Sequence, residues 1–160
     1  EYEEKIQQTD RVFECISKIY LHYNRDNNYG PYLPLVSPLG YLSRMEKYDK
    51  EGTIAKRMIV KMCQTNLKLF RDSHNEEYLE ELIRLAFIFA DKYPNLTKIM
   101  INEAFSASKP EFDHNRLNDF KEYYLRKLKE IKRRISKSKK EEHIELIKSI
   151  DSLLSQVRIE

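Results

Sequence analysis

The chain has no tryptophan, three glycines, five prolines and two cysteines in 160 residues. Each scarcity removes a class of answer. Gly30, Gly40 and Gly52 are too few and too scattered for the glycine-rich loops that cradle phosphates. The tight hairpins of an all-β domain would also need more of them. Cys15 and Cys63 have no Cys-x-x-Cys or Cys/His ligand spacing around them, so neither zinc ligands nor a disulfide framework is read here. They read as thiols partly in the core, which fits a reducing compartment and sets the expectation of an intracellular protein, cytoplasmic or nuclear. No apolar run reaches the ~18 residues that a membrane-crossing helix needs. No signal peptide is visible, and a chain that opens on Glu1 rather than Met is expected to be a piece of a longer one.

Charge is what the chain has in quantity. Asp, Glu, Lys and Arg make up 34% of it, against 41% apolar residues. That balance suits amphipathic helices, whose outer faces must be charged. The length fits one domain, 1–160. The expected fold is all-α, an irregular helical bundle or a short stack of helical hairpins, with about six or seven helices.

Residues 3–23 carry Val12, Ile16, Ile19 and Tyr23 at helical spacing. A Pro-rich connector follows at 25–38, where Pro31, Pro34 and Pro38 each lack an amide proton. It is nevertheless apolar, so Tyr29, Tyr32, Leu33, Leu35 and Tyr41 are either core-edge residues or a second interface, tyrosine being a good interface residue. Thr53 is placed to cap a helix whose buried side holds Ile54, Met58, Met62 and Leu69/Phe70. Ser73 or Asn75 caps the next helix, which is apolar nearly all round from Leu82 to Ala90 and broken only by Arg84. Such a helix belongs at the centre of the fold, with Arg84 paired to Glu80 or Glu81. Pro94 stops that run, and Asn95 or Thr97 starts a helix with Leu96, Ile99, Met100, Ala104 and Phe105 inward. The "SKPEF" stretch reads as a linker.

Asp113 is placed to cap a long helix from about His114 to Ser136, with Leu117, Phe120, Tyr124, Leu128, Ile131 and Ile135 along one side. After a weak break at "SKSKK", a last helix offers Ile144, Ile147, Ile150, Leu153, Leu154 and Val157 to the core.

No catalytic set is legible. There is no nucleophile elbow and no His-Glu-x-x-His pattern, and His22, His74, His114 and His143 fall on separate segments. Glu111 and His114 have the spacing of half a di-iron site, but the second Glu-x-x-His pair is missing. His143, within "EEHIE", reads as a charged surface turn. The chain is therefore expected to be non-enzymatic, with no cofactor and no metal.

One stretch stands out. Between Lys121 and Lys140 ten Lys and Arg face two Glu, so that window carries +8 and the rest −5, within a total of +3. The apolar seam of the long helix turns its other side outward, which makes Arg126, Lys129, Lys132, Arg133, Arg134, Lys137 and Lys140 the candidate recognition residues. The plain alternative is a solvated face, favoured by the helix dipole and neutralised by the chain's own acids.

The stretch "FADKYPNLTKIMINEAFSAS", twenty residues long, resembles a helix–Pro–helix segment in the ligand-sensing half of TetR-type repressors. The N-terminal part has no helix-turn-helix pattern of that family, and no residue role is carried over. The expected function is a protein-interaction (adaptor or scaffold) domain with a basic recognition helix. One alternative is binding of nucleic acid or a phosphoinositide membrane surface by 121–140. Another is a helical small-molecule sensor lined by the 82–90 helix with Met58, Met62 and Met100.

Overall fold

The computed structural model describes Arg11 and residues 52–157, and the described residues form five long helices with no strand among them. The chain divides into two compact units, Glu1–Thr65 and Asn66–Glu160. The helices are α1 (Thr53–Ser73), α2 (Glu77–Phe89), α3 (Pro94–Asp113), α4 (Asn118–Ile135) and α5 (Glu141–Val157). Apart from Arg11, the expected helix at 3–23, the connector at 25–38, Cys15, and Tyr29, Tyr32, Leu33, Leu35 and Tyr41 lie outside the described residues.

In the first unit, Met58, Ile59, Met62 and Cys63 of α1 are buried, on the side that helical spacing predicts. The helix ends in the second unit, where His74 takes a positive φ of 55° and its amide donates to the Phe70 carbonyl at 2.7 Å. Asn75 then accepts the Glu77 amide at 3.0 Å through Oδ1. This satisfies one of the orphan N–H groups at the start of α2.

The second unit is a four-helix arrangement in which α2 packs beside α3 and α4, and α5 packs beside the same two helices. Its core holds Leu79, Leu82, Ile83, Leu85, Ala86 and Phe89 from α2, and Met100, Ile101, Ala104 and Phe112 from α3. From α4 come Phe120, Tyr124, Leu128, Ile131 and Ile135, and from α5 Leu146, Ile150, Leu153 and Val157. Each fully buried side chain of this size contributes about 1.5–3 kcal/mol. The expected central helix is not buried on every side: α2 leaves Ile88 exposed and Phe87 half-buried.

Three expectations about α3 are corrected. Pro94 opens this helix instead of only ending its predecessor, because its missing N–H is an orphan at that position anyway. Thr97 is fully buried, and its hydroxyl donates to the Ala86 carbonyl of α2 at 3.1 Å. The inward set is Thr97, Met100, Ile101, Ala104, Ser108 and Phe112, whereas Ile99 is 52% exposed. The helix also continues through Pro110 to Asp113, so "SKPEF" is no linker. The residue that loses an amide donor to Pro110 is Ser106, which is exposed and can be served by water. Two residues on, Phe112 is buried and stacks on Phe120 with ring centroids 6.0 Å apart, which favours continuing the helix past the proline.

Asp113 consequently ends α3 and does not cap α4. The chain reverses through Asn115 at φ 56° and Leu117 at φ 57°, while the Arg116 amide reaches back to the Glu111 carbonyl at 2.8 Å. That is a left-handed C-terminal closure, and asparagine tolerates the conformation. Between α3 and α4, the Tyr124 hydroxyl donates to the Ile101 carbonyl at 2.8 Å inside the core. Its burial raises the phenol above its ordinary range.

Tyr124→Phe keeps the ring and removes only that donor. The expected loss is about 1–2 kcal/mol, read as a lower urea midpoint at unchanged slope; an unchanged midpoint would show the bond to be immaterial.

Candidate functional site

Helix α4 is sorted by side. Phe120, Tyr124, Leu128, Ile131 and Ile135 form the buried seam. At ~100° per residue, Arg126, Lys129 and Arg133 project from the opposite side, within roughly 60° of one another. Lys132 and Arg134 project to the two flanks between.

The flanking cations are used internally. Lys132 Nζ lies 2.6 Å from Asp151 Oδ1 on α5. On the other flank Arg134 Nε lies 3.1 Å from the Asp91 carboxylate, a second guanidinium nitrogen donates to the Phe87 carbonyl, and the guanidinium covers the Phe87 ring at 4.3 Å from its centroid. Lys127 Nζ covers the same ring at 4.5 Å and pairs with Glu130 at 3.2 Å. Two cations of α4 therefore meet the Phe87 ring, a contact worth about 0.5–1 kcal/mol each near the surface. Of the seven candidates, these contacts take Lys132 and Arg134 into the fold.

The outward stripe is different. Arg126, Lys129 and Arg133 line an open groove along α4 itself, together with Glu122, Leu125 and Glu130 of the same helix. All three cations are exposed, as are Lys137 and Lys140 in the connection to α5. Arg126 rests on the Tyr123 ring at 5.5 Å. Among the described residues, no carboxylate lies within ion-pair distance of Arg126, Lys129, Arg133, Lys137 or Lys140. Burial pushes the Tyr123 hydroxyl above its ordinary range.

His143 is the residue whose placement sequence reasoning missed. It is 7% exposed, in the first turn of α5, instead of in a charged surface turn. Its Nε2 lies 2.9 Å from the Asp91 carbonyl, and its Nδ1 lies 2.6 Å from the Ser138 hydroxyl. A carbonyl can only accept, so Nε2 donates to Asp91, while Nδ1 and the Ser138 hydroxyl share the second bond. The signal was in the spacing: His143, Leu146, Ile150, Leu153 and Val157 step by three and four, whereas Ile144 is exposed. Arg84 behaves as expected, with Nε 2.9 Å from the carboxylate of Glu81, itself only 5% exposed. His114 is exposed. Among the described residues, no three His, Cys, Asp or Glu side chains could together hold a metal ion, and no helix is long and apolar enough to cross a membrane.

The acids gather elsewhere. Burial raises the Glu80 carboxyl above the usual carboxylate range, and Glu76, Glu77 and Asp119 push it the same way. The starts of α2 and α4 thus form an acidic end, while the last turn of α4 and its connection to α5 form a basic one.

No protein-family model, curated protein or solved structure matches this chain.

The acidic end yields a pH prediction. A carboxyl raised by folding destabilises the fold when ionised, so its cost is absent below the ordinary range, near pH ~4.3, and grows as pH rises through the raised value. Glu80→Gln is therefore expected to melt higher than the parent at pH 7, with the gap closing toward pH ~4. Thermal melts across that range check it; a gap that widened on acidification would reverse the assignment.

Proposed function

We propose that this chain is a non-enzymatic interaction module, of adaptor or scaffold type, which recognises an acidic protein segment through the outward stripe of α4. Arg126, Lys129 and Arg133 make the stripe, and Lys137 and Lys140 extend it. The observation that carries this reading is the sorting of charge on one helix. The flanking cations meet Asp91 and Asp151 of the chain's own fold, while the three between them face solvent beside an open groove.

The groove also favours a protein over a uniform polyanion. Glu122 and Glu130 line it with the cations, and Leu125 lies among them. A phosphate backbone or an anionic membrane surface would be repelled by the two carboxylates and would find no use for the leucine. A helix carrying acids at i, i+3 and i+7, a basic residue to either side and one apolar side chain would match all three features. Pairing there is modest, because exposed ion pairs contribute about 0.2–1 kcal/mol each. Three of them with one apolar contact suit reversible recognition.

A labelled helical peptide of that pattern tests the reading, with single-stranded DNA and phosphatidylserine vesicles as competing ligands. The peptide is expected to bind, and the triple reversal Arg126→Glu, Lys129→Glu, Arg133→Glu to weaken it by about 2–3 kcal/mol, or roughly 30- to 150-fold, with the melting temperature kept. Binding should also fall between ~0.1 M and ~1 M salt, as the Debye length shrinks from about 10 Å to about 3 Å. If DNA or vesicles bind more tightly than the peptide and lose to the same reversal, the ligand is a polyanion and the protein reading is wrong.

A further inference from the structure

The basic stripe contains one neutral hydroxyl. Arg126, Lys129, Arg133, Ser136 and Lys140 follow one another in steps of three and four. Ser136 keeps helical backbone, φ −60° and ψ −27°, as the residue closing α4, so it stays in line with the three cations before it. It is exposed, and its Oγ donates to the Arg133 carbonyl at 2.9 Å. The order Arg133-Arg134-Ile135-Ser136 puts guanidinium groups three and two residues ahead of that hydroxyl. Protein kinases with carboxylate-lined substrate grooves read such a spacing, since carboxylates take guanidinium bidentately.

We infer that Ser136 is a phosphorylation site for an Arg-directed Ser/Thr kinase, and that the phosphate turns off the stripe of α4; this regulatory half rests on the interaction reading above. In the step itself, Ser136 Oγ forms a bond to the γ-phosphorus of Mg·ATP as the bond to the bridging oxygen breaks. ADP leaves, and the hydroxyl proton passes to the kinase's base. The product carries about −1.5 to −2 charges at the end of a row of three cations, one turn from Arg133. The C-terminus of a helix is itself partially negative, so the phosphate is drawn to Arg133 and to Lys137 and Lys140 beside it. An intramolecular partner then occupies the groove's cations in place of an external acid.

Ser138 does not compete for this role. Its Oγ is held by His143 Nδ1 at 2.6 Å and accepts the Lys140 amide at 3.3 Å. The residues three and two places before it are Ile135 and Ser136, with no guanidinium. Access to Ser136 does require movement: Ile135 is buried, and Arg134 is held by Asp91. A kinase that binds its substrate extended must wait for the last turn of α4 to open, which exposes Ile135 and breaks the Arg134–Asp91 pair as well as the turn's own hydrogen bonds. The folded chain is therefore phosphorylated more slowly than a free peptide of residues 126–140.

The test uses the whole chain, Ser136→Ala and Ser136→Glu, with Mg·ATP and a Ser/Thr kinase selective for Arg at both upstream positions. The acidic helical peptide described above serves as the binding probe. The expected result is one phosphate per chain by intact mass, placed on Ser136 by fragmentation and absent from Ser136→Ala. Peptide binding should fall at least ~10-fold on phosphorylation and several-fold in Ser136→Glu, with Ser136→Ala unchanged. A phosphate on Ser138, or none on the folded chain when the 126–140 peptide is modified to completion, overturns the site. Phosphate on Ser136 with undiminished peptide binding overturns the regulation and leaves the interaction reading standing. Failure of the unmodified chain to bind the peptide is seen before any kinase is added, and it removes the interaction reading together with the regulation.

Discussion

The burial of one side of α4 is the constraint from which the rest follows. Phe120, Tyr124, Leu128, Ile131 and Ile135 are all buried, and a helix with 3.6 residues per turn leaves no freedom once one side is committed. Residues two turns apart on the other side must point away from the core together. At about 1.5–3 kcal/mol for each buried side chain, the seam outweighs anything the exposed cations could gain or lose by rotating the helix. Tyr124 fixes the rotation further, because its hydroxyl has a single buried acceptor, the Ile101 carbonyl.

With the rotation set, the flanks meet the neighbouring helices. Lys132 reaches Asp151 of α5, and Arg134 reaches Asp91, just past α2. Exposed pairs of this kind stabilise little singly, so they are better understood as marking position than as holding the fold together. The Phe87 ring in contact with Lys127 and Arg134 adds an apolar contact to that flank, which gives it more than charge alone. What remains outward is a stripe whose cations have been sorted from the rest by geometry.

The seam of α4 was legible because its spacing is unambiguous and every position is apolar. The Arg84–Glu81 pair was legible because both partners lie on one helix. Three things were not. Pro110 reads as a helix breaker, and what favours α3 going through it is not local: Phe112 stacks on Phe120, a contact with the next helix. His143 reads as polar surface because a seam residue is expected to be apolar, yet two hydrogen bonds make an imidazole as acceptable there as a leucine. The acids that neutralise Lys132 and Arg134 are 19 and 43 residues away in sequence, and no local pattern reveals them. The seven candidate cations could be named from composition, then, but not divided into those that serve the fold and those left facing outward.

Asp91 shows how the division is maintained where the stripe ends. It lies in the turn between α2 and α3, and it holds the α4–α5 connection from both sides. Its carboxylate takes Arg134 at the end of α4, and its carbonyl takes the Nε2 hydrogen of His143 at the start of α5. The other ring nitrogen of His143 fixes Ser138, whose Oγ in turn accepts the Lys140 amide. A connection of five residues, Ser136–Lys140, is thereby tied at each end to one residue of a different turn. Lys137 and Lys140 extend from this tied connection and not from a loose loop, so the cations beyond the helix keep a defined relation to those on it. On the proposed reading, a partner that met Arg126, Lys129 and Arg133 would find Lys140 on a tethered connection, and ordering that last contact would cost less entropy than on an untethered chain.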